Sequence, residues 1–554
     1  MSGRAWRPGP LFWAAVLTLG NAAKPAVVDD TAYLLFARQI AARPADPYGF
    51  ELFWYRQPDP AMHILAPPVV PYWLGAGVAL FGEHLFLLKL WLFPFAWLFC
   101  RSVWALLRRF ARGQEDVGTA LFALSPTVLP LFNFMLDLPA VALGLAAVAA
   151  FVRGCDGGGW RSVIAAGLLA GLAAQTKYTM ATVPVVFALY GTIHRQFRAV
   201  AIACVLTAAV FVSWEAWLYW RYGVSHFLWH LADQSAGSKP PLFNPLLAGL
   251  GGLAAGWALY VGRAVGFGRW VVRAAGVAAV IGYAAVCRTP GEDAVLLRSE
   301  RTGTVRLDLP GLVFLGLGWA ALTTTVLALF RTGFRSTGRP RKSADGWFLV
   351  GWVAIEVAAY FALTPFPAAR RLMPLSVALG LLCCRLTGLA ARAGVRPERW
   401  VIGFVAACGI GLLALDVWDA QAEKQLVRQA ADVIGDPGSH RVWTQGHWGW
   451  QYYADRAGMV LTVPVRSHLR AGDWLVLPVT PDEVGFYRPY HGEAIVQVEP
   501  AAVQFVARLI WDDRLPAQTI PPLYGGGFPV TGRDHPRLTV DVFRVARDWV
   551  PPAE

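Results

Sequence analysis

Asp29 and Asp30 stand together where a first apolar run, near 11–28, gives way to more polar sequence, and Tyr33 follows one turn later. A carboxylate at the water boundary of an apolar wall can accept a proton from a hydroxyl. Asp before a helix also caps it, because its oxygen satisfies an orphan backbone N–H. Both readings stay open on the pair alone. Asp137, in Asn133-Phe-Met-Leu-Asp137-Leu-Pro139, is the sole charge between Asp116 and Arg153. It too could cap a helix, with Pro139 in the first turn. Charges in or beside apolar segments are costly, which makes them functional candidates. Lys177, in Gln175-Thr176-Lys177-Tyr178, lies between two apolar runs. It could hold a phosphate or snorkel to the interface. Arg370 and Arg371 precede a long apolar run in Phe366-Pro-Ala-Ala-Arg370-Arg371-Leu-Met-Pro374. Their planar forks match phosphate oxygens.

Three further groups of residues are weaker signals. His226 and His230 share one helical face, with Asp233 a turn on. They could hold a metal, although any amphipathic helix yields that spacing. His63, shortly before Pro67-Pro68, either lines a substrate groove or sits at the interface. Tyr524-Gly525-Gly526-Gly527 reads as a turn, not a phosphate loop, because no helix follows to support it.

The elements that position these residues must be membrane-spanning. The 554 residues are 56% hydrophobic and 15% charged, with a mean hydropathy of +0.44. Soluble globular chains carry roughly 25% charged residues. The deficit excludes a soluble enzyme and a disordered chain, and calls for a bundle of spanning helices. The 25 Trp and 31 Phe suit aromatic belts at the lipid–water boundary. Apolar runs fall near 11–28, 84–107, 117–136, 138–152, 162–176, 178–193, 199–216, 244–261, 270–287, 310–330, 347–363, 372–390 and 398–416. They predict about thirteen spans, several shorter than the ~20 residues of an ideal one. The first, interrupted by Asn21 and Lys24, is the weakest. Val69–Phe81, rich in proline at its start, reads as a helix lying at the interface.

Loop charge orients the bundle. With Arg4 and Arg7 inside, the same side receives Arg108, Arg109 and Arg112, then Arg153 and Arg161, Arg195 and Arg198, Arg263 and Arg269, the Arg331–Lys342 cluster, and Arg385 to Arg399. That alternation follows the positive-inside rule and explains the net charge of +13 without any nucleic-acid partner. Loop 288–309 breaks the pattern, with four arginines on the outer side. The same parity puts Asp29, Asp137, Lys177, Arg370 and Arg371 together on the outer face. It also predicts an inner-membrane, multi-pass protein with its N-terminus in the cytoplasm.

Residues 1–416 thus read as the membrane domain and 417–554 as an extracytoplasmic soluble α/β domain. In the latter, strands are expected at Arg441–Thr444, Met459–Val463, Trp474–Pro478 and Arg537–Val545, and helices near Trp448–Arg456 and Ala501–Ile510. The seven cysteines form no zinc or CxxC pattern and none lies beyond residue 416, so they read as small apolar packers. The first apolar run could be a signal peptide; the many later spans favour an uncleaved first span.

This layout resembles the GT-C class of membrane glycosyltransferases, notably protein O-mannosyltransferases, lipid A aminoarabinose transferases and lipopolysaccharide sugar transferases. The resemblance spans residues 10–380. The acidic pair opening the first outer loop matches Asp29-Asp30, and a His/Pro-Pro segment matches His63 and Pro67-Pro68. A Gly and acid before a span match Gly82-Glu83, and Asp-x-Pro matches Asp137-Leu-Pro139. A Gly-rich helix ending in Lys matches Gly167 to Lys177, and a late Arg before Pro matches Arg370-Arg371-Leu-Met-Pro374. Aminoarabinose transferases have Lys before the proline pair where this chain has Ala66, and Asp-Glu where it has Asp-Asp. The sugar and acceptor therefore stay open.

The resemblance implies a polyprenyl-phosphate-linked sugar donor and a lipid, glycan or protein acceptor on the outer face of the cytoplasmic membrane. It implies Asp29 and Asp30 as catalytic carboxylates, and Tyr33, His63, Asp137, Lys177, Arg370 and Arg371 as substrate-binding residues. No cofactor is called for, although some relatives use a divalent metal. Two rivals remain: a transporter or flippase of lipid-linked sugars, whose usual inverted repeats are not evident here, and a non-catalytic envelope assembly protein.

Overall fold

The computed structural model describes residues 8–54, 57–126, 128–235, 309–333, 340–364, 368–392, 400–479 and, with short breaks, 499–551, together with a few short stretches between 246 and 307. The molecule is mostly helical, with strands concentrated in the C-terminal region. Among the described residues, seven helices are long and apolar enough to cross a membrane. They are Leu85–Phe110, Asp137–Gly158, Phe197–Tyr222, Leu309–Leu329, Ala344–Leu363, Ala369–Leu389 and Trp400–Ile434. Pro10–Ala22, Val69–Phe81 and Trp160–Ala174 are shorter apolar helices. The runs expected near 244–261 and 270–287 fall almost wholly outside the described residues.

One expected span is not a helix throughout. In the run 117–136, only Glu115–Ala123 is helical. Pro126 and Pro130 each remove a backbone donor and disfavour the α conformation before them. The chain instead turns through the interior, bonded locally as in Val128 N–H to the Ser125 carbonyl. This buried loop delivers Asn133 and Asp137 to the site end of the bundle.

Glycines set the close packing behind the site. The helix Trp160–Ala174 lies against Phe197–Tyr222 so tightly that a Cβ on Gly167 would stand 2.8 Å from the Ala203 carbonyl oxygen. Lys177 lies just beyond the end of Trp160–Ala174 and pairs with Asp137, the first residue of the helix Asp137–Arg153.

The C-terminal region holds a five-stranded mixed sheet in the order Val460–Leu461, Val442–Thr444, Trp474–Val479, Thr539–Val545, Val503–Ile510. Thr539–Val545 is nearly all buried and pairs antiparallel on both sides. The Trp448–Arg456 helix forms where it was expected. The helix expected near Ala501–Ile510 does not: Val503–Ile510 is an edge strand. Its apolar residues at 503, 506, 507 and 510 fit a helical period, but tertiary pairing overrides such a weak local signal. The ladder to Thr539–Val545 and the two-pronged Arg508–Asp541 pair, both bonds 2.7 Å, hold it extended.

The helix Trp400–Ile434 runs unbroken through residue 416. The middle of this helix buries Asp416, Asp419 and Glu423, the first two bonded to residues of the C-terminal region, so the last spanning helix continues directly into the sheet-bearing part.

Candidate active site

Asp29 precedes the helix Asp30–Ala42 but makes no side-chain capping bond. The turn is held by its neighbour: Val27 N–H donates to Asp30 Oδ2 at 3.2 Å. Asp30 is fully buried, with Lys89 Nζ 3.7 Å from Oδ2. Burial pushes its carboxyl above the usual range, against the pull of Lys89. Asp29, about a fifth exposed, points the other way and meets Arg370, Nη1 to Oδ2 2.7 Å. Adjacent carboxylates thus have opposite surroundings, one locked inside the fold and one facing a cleft.

That cleft is about 290 Å³ and is lined by Asp29, Tyr33, Trp54, His63, Asp137, Lys177, Tyr178, His230, Asp233, Arg370 and Arg371, among others. Asp137 is the first residue of its helix and does not act as its cap. Its carboxylate pairs with Lys177 and stands 3.5 Å from Arg370 Nη1. Arg370 therefore bridges two carboxylates, and Lys177 completes a chain Asp29–Arg370–Asp137–Lys177. The arginines come from the 3-10 turn Ala369–Leu372, which leads into the helix Met373–Arg392. Burial lowers the Lys177 ammonium to about 8, although Asp137 opposes the shift. Tyr33 lies in the wall, where burial pushes its phenol up and keeps it protonated.

Of the sequence candidates, the cleft gathers Asp29, Tyr33, His63, Asp137, Lys177, Arg370 and Arg371, and leaves Asp30 outside. Glu83, matched by motif, is placed elsewhere: it sits between Arg38 and Arg456 at 3.0 and 3.2 Å. Two intramembrane acids went unnoticed. Glu356 accepts the Trp352 indole N–H at 3.0 Å and helps line a small chamber of about 30 Å³ beside Asp137, Lys177, Arg370 and Arg371. Glu215 receives Ser225 Oγ–H at 2.7 Å and the Phe227 N–H at 3.0 Å. Each is the one charge in its apolar run, a signal that could have singled it out.

The histidine pair serves as packing around the cleft. His63 stacks on Trp229, ring centroids 4.4 Å apart. His226 Nε2 is 3.0 Å from the Ile64 carbonyl, which can only accept, so that nitrogen carries the proton. Its Nδ1 then accepts from the Tyr178 hydroxyl at 2.5 Å. Burial lowers His226 to about 4 and His230 to about 3, which keeps both neutral. Among the described residues, no group of three or more His, Cys, Asp or Glu is placed to hold a metal ion. Treatment with EDTA is therefore expected to change activity by less than about twofold, since a metal site needs several convergent ligands. Loss of activity that a divalent ion restores would return His230 and Asp233 to consideration as ligands.

Residues 66–220, which include Asp137 and Lys177, match the family Dolichyl-phosphate-mannose-protein mannosyltransferase. No curated protein matches the chain. Similar solved structures include ArnT from Cupriavidus metallidurans in the apo state, at 14% identity and TM-score 0.41, covering 87% of this chain and 95% of that one. The apo oligosaccharyltransferase of Archaeoglobus fulgidus aligns at 13% identity and TM-score 0.46, covering 83% of this chain and 64% of that one. Archaeal oligosaccharyltransferase AglB from Archaeoglobus fulgidus, in complex with an inhibitory peptide and a dolichol-phosphate, aligns at 13% and 0.44, covering 82% and 63%. The match over residues 66–220 makes that stretch similar to a family of membrane glycosyltransferases, in line with the GT-C resemblance that the order of the motifs implies.

Proposed function

We propose that this enzyme moves a sugar from a polyprenyl-phosphate carrier to a hydroxyl of a lipid, glycan or protein acceptor at the outer face of the cytoplasmic membrane. The observation that carries this reading is the single cleft in which Asp29 faces Lys177, Arg370 and Arg371. The acceptor oxygen attacks the anomeric carbon and the carbon–oxygen bond to the lipid phosphate breaks. Asp29 takes the acceptor's proton, and the electron pair leaves on the phosphate. Lys177 and the two arginines stabilise the negative charge that collects there. A phosphate arriving between the guanidiniums competes with Asp29 for Arg370, so donor binding frees the carboxylate to act as base. Asp30, held by Lys89 and the Val27 N–H, shapes the turn rather than reacting. The test is purified protein in lipid nanodiscs with radiolabelled polyprenyl-phosphate sugars. Label transfer to acceptor supports the reading; movement of intact donor across the bilayer without transfer would favour a flippase.

The low Lys177 value sets a pH dependence. Its ammonium carries charge below about 8 and loses it above. If that charge attracts the donor phosphate, kcat/KM for donor falls as pH rises through about 8, because this ratio reports groups on the free enzyme. Lys177→Arg keeps its charge at all accessible pH and should move the alkaline limb upward. A wild-type profile flat to pH 9.5, or a limb unmoved in Lys177→Arg, would remove Lys177 from donor binding.

A further inference from the structure

The residue before Asp29 is held in an uncommon conformation. Val28 has φ 44°, in the left-handed region that a β-branched side chain resists. Such a conformation persists only where its surroundings over-determine it. Here the surroundings come from more than four hundred residues along the chain. The Ala26 N–H donates to the Tyr453 hydroxyl oxygen at 2.8 Å. The Thr31 hydroxyl donates to the Trp448 carbonyl at 2.5 Å. These two bonds grip the chain on either side of Val28 and Asp29. Trp448 itself has φ 61°, so two left-handed residues lie in the facing segments. Gly449 follows it, and a Cβ there would stand 2.8 Å from the Ala26 carbonyl oxygen and 2.0 Å from Glu423 Oε2. Only glycine allows the helix Trp448–Arg456 to press so closely on the turn. From the membrane side, Lys89 and Asp30 close the same turn.

We infer that the C-terminal region is a positioning device for Asp29: Tyr453 and the Trp448 carbonyl clamp the 26–31 segment so that Val28 stays left-handed and the Asp29 carboxylate faces the cleft. This rests on the reading of Asp29 as the base. Tyr453 and Thr31 touch neither substrate nor reacting atoms in this scheme and act through the backbone alone.

Tyr453→Phe keeps the ring and removes the accepting oxygen. It should lower kcat by about tenfold, since small misplacements of a reacting group are costly, and leave KM for donor within about twofold. Backbone hydrogen exchange in a peptide spanning residues 24–33 should quicken by about fivefold, as a local opening would produce. Adding Val28→Gly to Tyr453→Phe should restore much of kcat, because glycine occupies the left-handed region without side-chain cost. A merely structural role for Tyr453 would not show that rescue. Unchanged kcat and unchanged exchange in Tyr453→Phe would overturn the clamp, as would a kcat loss that Val28→Gly leaves untouched. If the wild-type protein transfers no sugar at all, the functional reading fails, and the exchange measurement decides the clamp on its own.

Discussion

Asp29→Asn is expected to fold, reach the membrane and bind donor lipid at least as tightly as the wild type does, since a neutral amide competes less with the phosphate for Arg370, while turnover drops by about 10²-fold or more, the range of a positioned general base. The exchange keeps size and one accepting oxygen but removes basicity. Asn and Asp cap helices about equally well, and Asp29 makes no capping bond to lose. The oxygen that receives Arg370 at 2.7 Å can remain as an amide carbonyl, so the bridge from Arg370 to Asp137 need not collapse. The loss should therefore appear in kcat with saturating donor and not in donor affinity. Asp30→Asn should cost less than about tenfold in kcat, because Asp30 faces Lys89 inside the fold and lies outside the cleft. Arg371→Ala should instead weaken donor binding, since a contact to the phosphate exists before the transition state as well as in it. Wild-type turnover in Asp29→Asn would show that another group takes the proton.

Lys24→Met should be the most destabilising single change outside the cleft. Lys24 and Asp416 are both buried and form an ion pair. The ammonium also donates to the Pro130 carbonyl at 2.9 Å and meets the Tyr524 hydroxyl. Asp416 further receives Tyr524 Oη at 2.8 Å and Thr519 Oγ1 at 2.8 Å. Asn133 and Lys89 extend the network towards Asp30. Methionine fills the space of the stem but leaves a carboxylate buried without its cation, a loss of about 3–5 kcal/mol. Denaturant unfolding in detergent micelles measures it. Asp416→Asn added to Lys24→Met should recover more than half, because the amide no longer needs a cation, its oxygen accepts from one of the Thr519 and Tyr524 hydroxyls and its NH2 donates to the other. An unchanged unfolding midpoint in Lys24→Met would mean that the pair contributes nothing net.

Much of the molecule was legible in the chain because membranes impose coarse, strong rules. Long apolar runs must become helices, and a lone Asp137, a Lys177 at a run's end or a pair of arginines before Met373 must be explained by contacts or function. The strand around Val540 and Val542 was readable from local alternation of β-branched residues, although the sheet buries both of its faces. The order of the acidic pair, the proline pair and the later Lys and Arg carried a resemblance to one fold class, and the family match covers the part of it within residues 66–220. What the chain did not show is who faces whom. Asp29 and Asp30 are chemically alike and adjacent, and only the buried Lys89, 59 positions beyond Asp30 in another helix, makes one structural and leaves the other in the cleft. Asn21 and Lys24 read as flaws in a first span, yet they are anchors, because their partners Leu129, Pro130 and Asp416 come from distant segments. Val503–Ile510 carries a helical apolar period and became a strand because a neighbouring strand offered it a ladder. Each of these outcomes depends on long-range pairing of buried polar groups or backbone edges. A local pattern records the demand for a partner but not the residue that meets it.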